Sequence, residues 1–258
     1  MAFPLFLLAM APYSVMALSY HRDSRAEPWW QSGREAGRQG LHFLRIPKSA
    51  STTMKHAISD AHERDPENCS GVFFHHHGLV AKLLQYTSIA GPKYVVLRNP
   101  CDRFVSQTYH MKRKGKDKPW IDAYDFKHVD PLQFGKALLH DKSLHDRFLW
   151  NGTLQETGKG TLSTPRVGDH IIMWKQRDYV KSDTELACLP TVAVDTQRIW
   201  DKYAPGCKAN ITHKHDTKYD EEAEKWRGNR EVCAITKKLY PEDWRLWHKH
   251  CNQSDTEG

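Results

Sequence analysis

Two kinds of apolar pattern alternate along the chain. Leu41–Ile46 and the "KYVVLR" run ending at Arg98 are short and nearly unbroken, with the length and residue types of buried strands. Between and after them apolar residues return every three to four positions. Met54, Ala57, Ile58 and Ala61 predict a helix from Thr52 to about Glu63, with Ser51 or Thr52 as its N-cap. Phe104, Val105, Thr108 and Met111 predict a second helix through "CDRFVSQTYHMKR", closed off from the strand before it by Asn99-Pro100. A short run at Val72–Phe74 leads into three histidines, and "GLVAKLLQY" after them has helical spacing. Asp130-Pro131 opens a helix through about His140, with Asp as cap and Pro in the first turn. "TVAV" at Thr191–Val194 reads as a strand ahead of a helix near Asp195–Tyr203, and about Asp220–His250 reads as helix rich in Trp and Tyr. Strands alternating with helices predict an α/β fold: a three-layer domain with a central parallel sheet flanked by helices.

The ends of the chain depart from this pattern. Phe3–Leu18 is uncharged and apolar, short for a membrane span but suited to a signal-peptide core, with a small-residue site near Val15-Met16-Ala17. It lacks a basic n-region, so residues 1–18 are expected to be either a cleaved signal or an uncleaved anchor. Residues 19–40 are polar and Arg-rich and read as a stem, which starts the folded domain near Leu41 and runs it to about residue 254. Within that domain "KRKGKDKPW" (Lys112–Trp120) forms a basic loop. Asn151–Asp169 forms a long Gly/Thr-rich loop of the kind that often contacts substrate.

Composition adds the compartment. Asn68-Cys69-Ser70, Asn151-Gly152-Thr153, Asn210-Ile211-Thr212 and Asn252-Gln253-Ser254 all fit the glycosylation sequon, and six cysteines lie beyond the apolar leader with no CxxC pair among them. Both features suit a secretory-pathway chain with up to three disulfides. Nearness in sequence favours Cys188–Cys207 and Cys233–Cys251. A net charge of +7 favours anionic partners. No zinc-finger spacing, RNP-like motif or long basic helix points to nucleic acid, and no zinc signature points to a metal.

Chemistry concentrates at the predicted strand ends, where open parallel sheets bind ligands. After the first strand, Pro47-Lys48-Ser49-Ala50-Ser51-Thr52-Thr53 brings one cation, several hydroxyls and the unpaired N–H groups of a helix start around a space of phosphate size. The Walker pattern GxxxxGK[ST] is absent, which argues against a generic nucleotide kinase. After the later strand, Arg98 and, on the following helix, Ser106 offer a guanidinium and a hydroxyl to a second phosphate. Two grips at neighbouring strand ends suit a nucleotide phosphorylated at both its 5′ and 3′ positions. Arg103 either assists the second grip or pairs within its own helix.

In these two stretches the chain resembles the sulfotransferases that use 3′-phosphoadenosine-5′-phosphosulfate (PAPS), especially the Golgi carbohydrate branch that includes the heparan sulfate 2-O- and 6-O-sulfotransferases. "RIPKSASTT" is similar to that family's 5′-phosphosulfate loop and "LRNPCDRFVS" to its 3′-phosphate motif, with a weaker echo of its closing helix in "ITKKLYPEDWRLW". The resemblance covers about Leu41–Tyr109 and implies a P-loop-like fold. It further implies that PAPS is the sulfate donor, that Lys48 sits by its bridging oxygen, that Ser49–Thr53, in a cofactor-binding loop that begins at Pro47, cradle the 5′-phosphate, and that Arg98 and Ser106 hold the 3′-phosphate. No metal is required.

Transfer also needs a base for the acceptor. His75, His76 and His77 stand at the end of a predicted strand, and imidazole titrates in the right range. Spacing to the arginine motif, compared with the 2-O-sulfotransferase-like branch, favours His77 and then His75. The acceptor implied is an anionic or hydroxylated glycan, in the Golgi lumen or after secretion, and the basic loop suits it. The glycan-specific signatures of individual enzymes are missing. That leaves O- or N-sulfation of a small molecule or natural product as an alternative, and a non-catalytic anionic-glycan-binding protein as a third reading. Lys214 and its "THKHD" neighbours are a further candidate loop over the nucleotide.

Overall fold

The computed structural model describes residues 39–75, 89, 91–114, 130–149, 173–212 and 220–252. The leader, most of the stem, "GLVAKLLQY", the basic loop beyond Lys114, the Asn151–Asp169 loop, Lys214 and the residues 76 and 77 lie outside the described residues. Four strands, β1 (Leu41–Leu44), β2 (Val72–His75), β3 (Lys93–Leu97) and β4 (Thr184–Cys188), form one all-parallel sheet in the order β2-β1-β3-β4. The chain is therefore α/β, with the sheet flanked by helices. The main helices are α1 (Ser51–Arg64), a short α2 (Pro66–Cys69), α3 (Pro100–Lys114), α4 (Pro131–His140), α5 (Lys142–Phe148), α6 (Val192–Tyr203), a short α7 (Asp220–Glu224), α8 (Arg230–Leu239) and α9 (Pro241–Cys251).

Because side chains alternate across a strand, each strand supplies both faces of the sheet. Leu41, Phe43, Tyr94 and Val96 pack on one face with Met54 and Ile58 of α1 and Ile199 and Trp200 of α6. There Trp200 Nε1 donates to the Tyr94 hydroxyl at 2.9 Å, so the largest buried ring also satisfies its polar atom. Leu44, Val95 and Leu97 pack on the other face with Trp174, Tyr179 and Trp247. A third cluster lies among the helices alone, where Phe104, Phe134, Phe148 and Ile235 join α3, α4, α5 and α8. Gly135 permits the closest approach there, since a Cβ at that position would meet Ile235 Cγ2 at 2.8 Å.

Two expected elements are placed differently. "TVAV" is no strand: Val192, Thr196, Ile199 and Trp200 are buried at helical spacing, and Val194 is 72 % exposed on the opposite side of α6. The strand is instead "TELAC", an edge strand buried only at its last two residues, which is why its apolar pattern is weak. The Asp130 cap holds as expected, its carboxylate accepting from Gln133 N at 2.8 Å. At α1 neither Ser51 nor Thr52 is the cap. The helix already includes Ser51, and Ala50 precedes it with no side-chain cap.

The disulfides are Cys69–Cys207, Cys101–Cys233 and Cys188–Cys251, in place of the two sequence-near pairs expected. The fold decides the pairing. Cys188 ends β4 beside the last turn of α9, 5.5 Å from Cys251 between Cα atoms, whereas Cys207 packs against Cys69 at the end of α2, just before β2. Three disulfides fit an oxidising setting, outside the cell or in the secretory pathway. Among the described residues no helix is long and apolar enough to cross a membrane.

The Cys101–Cys233 bridge spans a sequence separation of 132 residues. Loops of that size are worth up to about 5 kcal/mol in unfolded-chain entropy. Peptide mapping without reduction should recover all three pairs. The Cys101→Ala/Cys233→Ala double variant should lose about 2–5 kcal/mol in denaturant unfolding.

Candidate functional site

Strand order locates the site before any side chain does. From β1 the chain crosses to β2 on one side, and β3 and β4 lie on the other, so the carboxyl ends of β1 and β3 flank the point where the winding reverses. Crevices of this kind are where open α/β sheets take ligands. Both motifs singled out in the sequence arrive here, one after β1 and one after β3.

The β1–α1 loop is held in an unusual backbone shape. Lys48 and Ala50 adopt φ of +65° and +53°, and they are the only non-glycine residues with positive φ among the described residues. Each left-handed residue costs about 1–2 kcal/mol, so the loop keeps its shape only because its surroundings over-determine it. Two left-handed residues one position apart curl the loop tightly between β1 and α1. The first turn of α1 closes with Met54 N on Ala50 O at 2.9 Å. Ahead of it the N–H groups of Ser51, Thr52 and Thr53 have no side-chain cap, so the positive end of the helix faces the loop's concave side. The hydroxyls of Ser51, Thr52 and Thr53 make no hydrogen bond within the described residues.

Ser49 behaves differently from its neighbours. It is fully buried, its N–H donates to Ile46 O at 3.2 Å, and its hydroxyl donates to Gln176 Oε1 at 3.2 Å. Its polar groups hold the loop rather than face an incoming ligand.

Arg98 directly follows β3, one residue beyond the strand end. Its Nη1 donates to Lys48 O at 3.1 Å, which ties the β3 end to the β1–α1 loop. Asn99 then starts α3, with its side chain accepting from Cys101 N at 2.9 Å, and Ser106 stands half-buried in the second turn. The structure thus brings Pro47–Thr53 and Arg98 together at one edge, with Ser106 on the helix leading from it.

Arg103 takes neither expected role. Only 2 % exposed, it donates from Nε to Pro47 O at 3.1 Å and from Nη2 to Trp174 O, with Nη1 3.6 Å from Asp243 Oδ2. Asp243 in turn accepts from Gln176 N at 2.8 Å and Arg177 N at 2.9 Å. Burial pushes the Asp243 carboxyl above the usual carboxylate range, while Arg103 and the two backbone N–H groups pull the other way. Gln176 completes the set: Oε1 accepts from Arg98 N at 2.8 Å and Nε2 donates to Arg98 O at 2.8 Å. Gln176 lies in no motif, and Asp243 falls within the closing-helix echo "ITKKLYPEDWRLW" without being singled out there. The one signal was an acidic residue on the same side of α9 as Trp244 and Trp247, which a surface carboxylate would avoid.

Of the three histidines, His75 is described. It ends β2, 1 % exposed, with Nε2 2.8 Å from Nδ1 of His42 and the two rings stacked at 5.0 Å. Burial and the neighbouring imidazole lower its pKa to about 3. A group so buried and so weakly basic is poorly suited to take a proton from an acceptor at neutral pH, which leaves His76 and His77, outside the described residues, as candidates, with His77 the one the sequence favours.

Compared with family models, curated proteins and solved structures, the chain finds no match.

Two measurements test this geometry. Asp243→Ala leaves the Arg103 guanidinium buried without its carboxylate and should cost about 3–5 kcal/mol of stability. His75 has a folded-state pKa of about 3 against 6.5 for the free side chain, so only the unfolded chain binds its proton between those values. Stability should therefore fall as pH drops below the free value, by up to about 1.4 kcal/mol per pH unit from this group, and His75→Gln should flatten that slope in pH-dependent denaturation.

Proposed function

We propose that this chain is a PAPS-dependent sulfotransferase that moves the sulfuryl group to a hydroxyl of a carbohydrate acceptor, on a P-loop-like three-layer fold. The observation that carries the reading is the convergence of two basic grips at the winding reversal, with Arg98 Nη1 on Lys48 O at 3.1 Å beside an uncapped helix start. The residues present fit a bisphosphorylated nucleotide. Ser51, Thr52 and Thr53 offer N–H groups and hydroxyls to a 5′-phosphate, and Arg98 with Ser106 offers a fork and a hydroxyl to a 3′-phosphate.

PAPS supplies an activated sulfuryl group that needs no metal for in-line displacement. Lys48 stabilises the negative charge that develops on the bridging phosphate oxygen. His77 takes the proton of the attacking hydroxyl. Pro47 and Ser49 hold the loop that presents these groups, through Arg103 and Gln176. A lumenal, Golgi setting behind a signal or anchor agrees with the three disulfides and the sequons. A surplus of seven positive charges suits an anionic glycan.

Calorimetric titration of the full chain with adenosine 3′,5′-bisphosphate should show saturable binding, weakened about 10- to 100-fold in Arg98→Ala. Labelled PAPS incubated with glycans and small hydroxylated or aminated acceptors should identify the acceptor, with transfer reduced about 100-fold in Lys48→Ala and in His77→Ala. Absence of bisphosphate binding by the wild-type chain would sink the reading.

A further inference from the structure

The two grips belong to different segments, one after β1 and one after β3. Their spacing is not set by sequence nearness. One side chain contacts both. Gln176 is 1 % exposed and stands in the 3₁₀ turn Gln176–Tyr179, remote in sequence from either motif. Its amide mimics the edge of a neighbouring strand toward Arg98, accepting from the Arg98 N–H and donating to the Arg98 carbonyl, both at 2.8 Å. The same Oε1 accepts the Ser49 hydroxyl from the β1–α1 loop at 3.2 Å. Gln176 is itself fixed by its backbone N–H on Asp243 at 2.8 Å, and Asp243 faces Arg103, which grips Pro47 O. A closed circuit results: loop, Gln176, Arg98, and back to the loop through Arg98 Nη1 on Lys48 O.

We infer that Gln176, held by Asp243, is a positioning residue that fixes the distance between the two anion grips, so that one ligand bearing two phosphates engages both at once. The inference rests on the proposed bisphosphate site. Its physical content is preorganisation. Two phosphates on one nucleotide gain affinity over either alone only if both grips stand at the ligand's own spacing before it arrives. Loosening the link should therefore reduce the advantage of two phosphates while leaving each single grip intact.

Ser49→Ala removes the loop's bond to Gln176 and leaves the Gln176–Arg98 pair. Titrated with adenosine 3′,5′-bisphosphate, 5′-AMP and 3′-AMP, this variant should lose about tenfold or more in affinity for the bisphosphate, with each monophosphate within about threefold of wild type. Gln176→Glu gives an independent readout. Its carboxylate cannot donate to the Arg98 carbonyl, but its protonated form can. Relative to wild type, its preference for bisphosphate over 5′-AMP should therefore recover as pH falls from about 7 through the carboxyl's own range to about 4. If Ser49→Ala binds the bisphosphate like wild type, or weakens all three ligands equally, or if Gln176→Glu shows no such recovery, the positioning role is wrong. If wild type binds none of the three nucleotides, the sulfotransferase reading itself fails, and this inference with it.

Discussion

One buried guanidinium organises the working edge of this protein. Arg103 lies in α3, yet its three nitrogens reach the β1–α1 loop, the Trp174 carbonyl and a carboxylate in the last helix. Such a group is tolerated inside a protein only if its donors are met and its charge is faced by a carboxylate. Asp243 meets that requirement and then uses its remaining acceptor capacity on two backbone N–H groups. The cost of burying the charge is thereby turned into a constraint on where Pro47, Gln176 and Arg98 stand. A hydrophobic replacement could fill the same volume but could not address backbone groups from two segments and a carboxylate from a third.

Backbone strain belongs to the same account. Lys48 and Ala50 occupy a region that glycine would enter without penalty, and a glycine-rich loop would reach the same shape more cheaply. With side chains there, the shape has to be imposed from outside, through the Pro47 and Lys48 carbonyls, each held by a different arginine, while Ser49 ties the finished loop to Gln176. The gain is a cation at the loop's centre in a fixed backbone setting. The proposed role of Lys48 depends on that fixity more than on its charge, since surface lysines are numerous in this chain.

Local pattern was enough to read the parallel α/β class, the start of β1, the helix opening at Asp130-Pro131 and the meeting of Lys48 with Arg98. Each follows from short-range rules: unbroken apolar runs, helical spacing, caps, and the tendency of parallel strand ends to share one edge. What escaped was non-local. The cysteine pairs depend on which helix ends lie side by side, and sequence distance misled. Thr184–Cys188 is half-exposed at the sheet edge and lacks the apolar density that marked β1 and β3, while Val192 and Val194 look strand-like until their burial is compared. Gln176 and Asp243 act through hydrogen bonds to partners 78 and 67 residues away, which no local pattern marks. His75 looked available because its neighbours are polar; in the sheet its register opposite Leu44 turns it inward.

The three disulfides share a further property. Each joins a cysteine from the earlier part of the chain to one of Cys207, Cys233 and Cys251. During vectorial synthesis Cys69, Cys101 and Cys188 all emerge before any correct partner does, so every bond that can form early is a wrong one. The sheet strands, β1 to β4, can associate in that interval, but the last helix, which supplies Asp243, arrives late. Maturation is therefore a matter of waiting and reshuffling: the cell must keep the early thiols reduced or exchangeable until the final helix docks, and the site at the strand ends is completed in the same step that seals the chain.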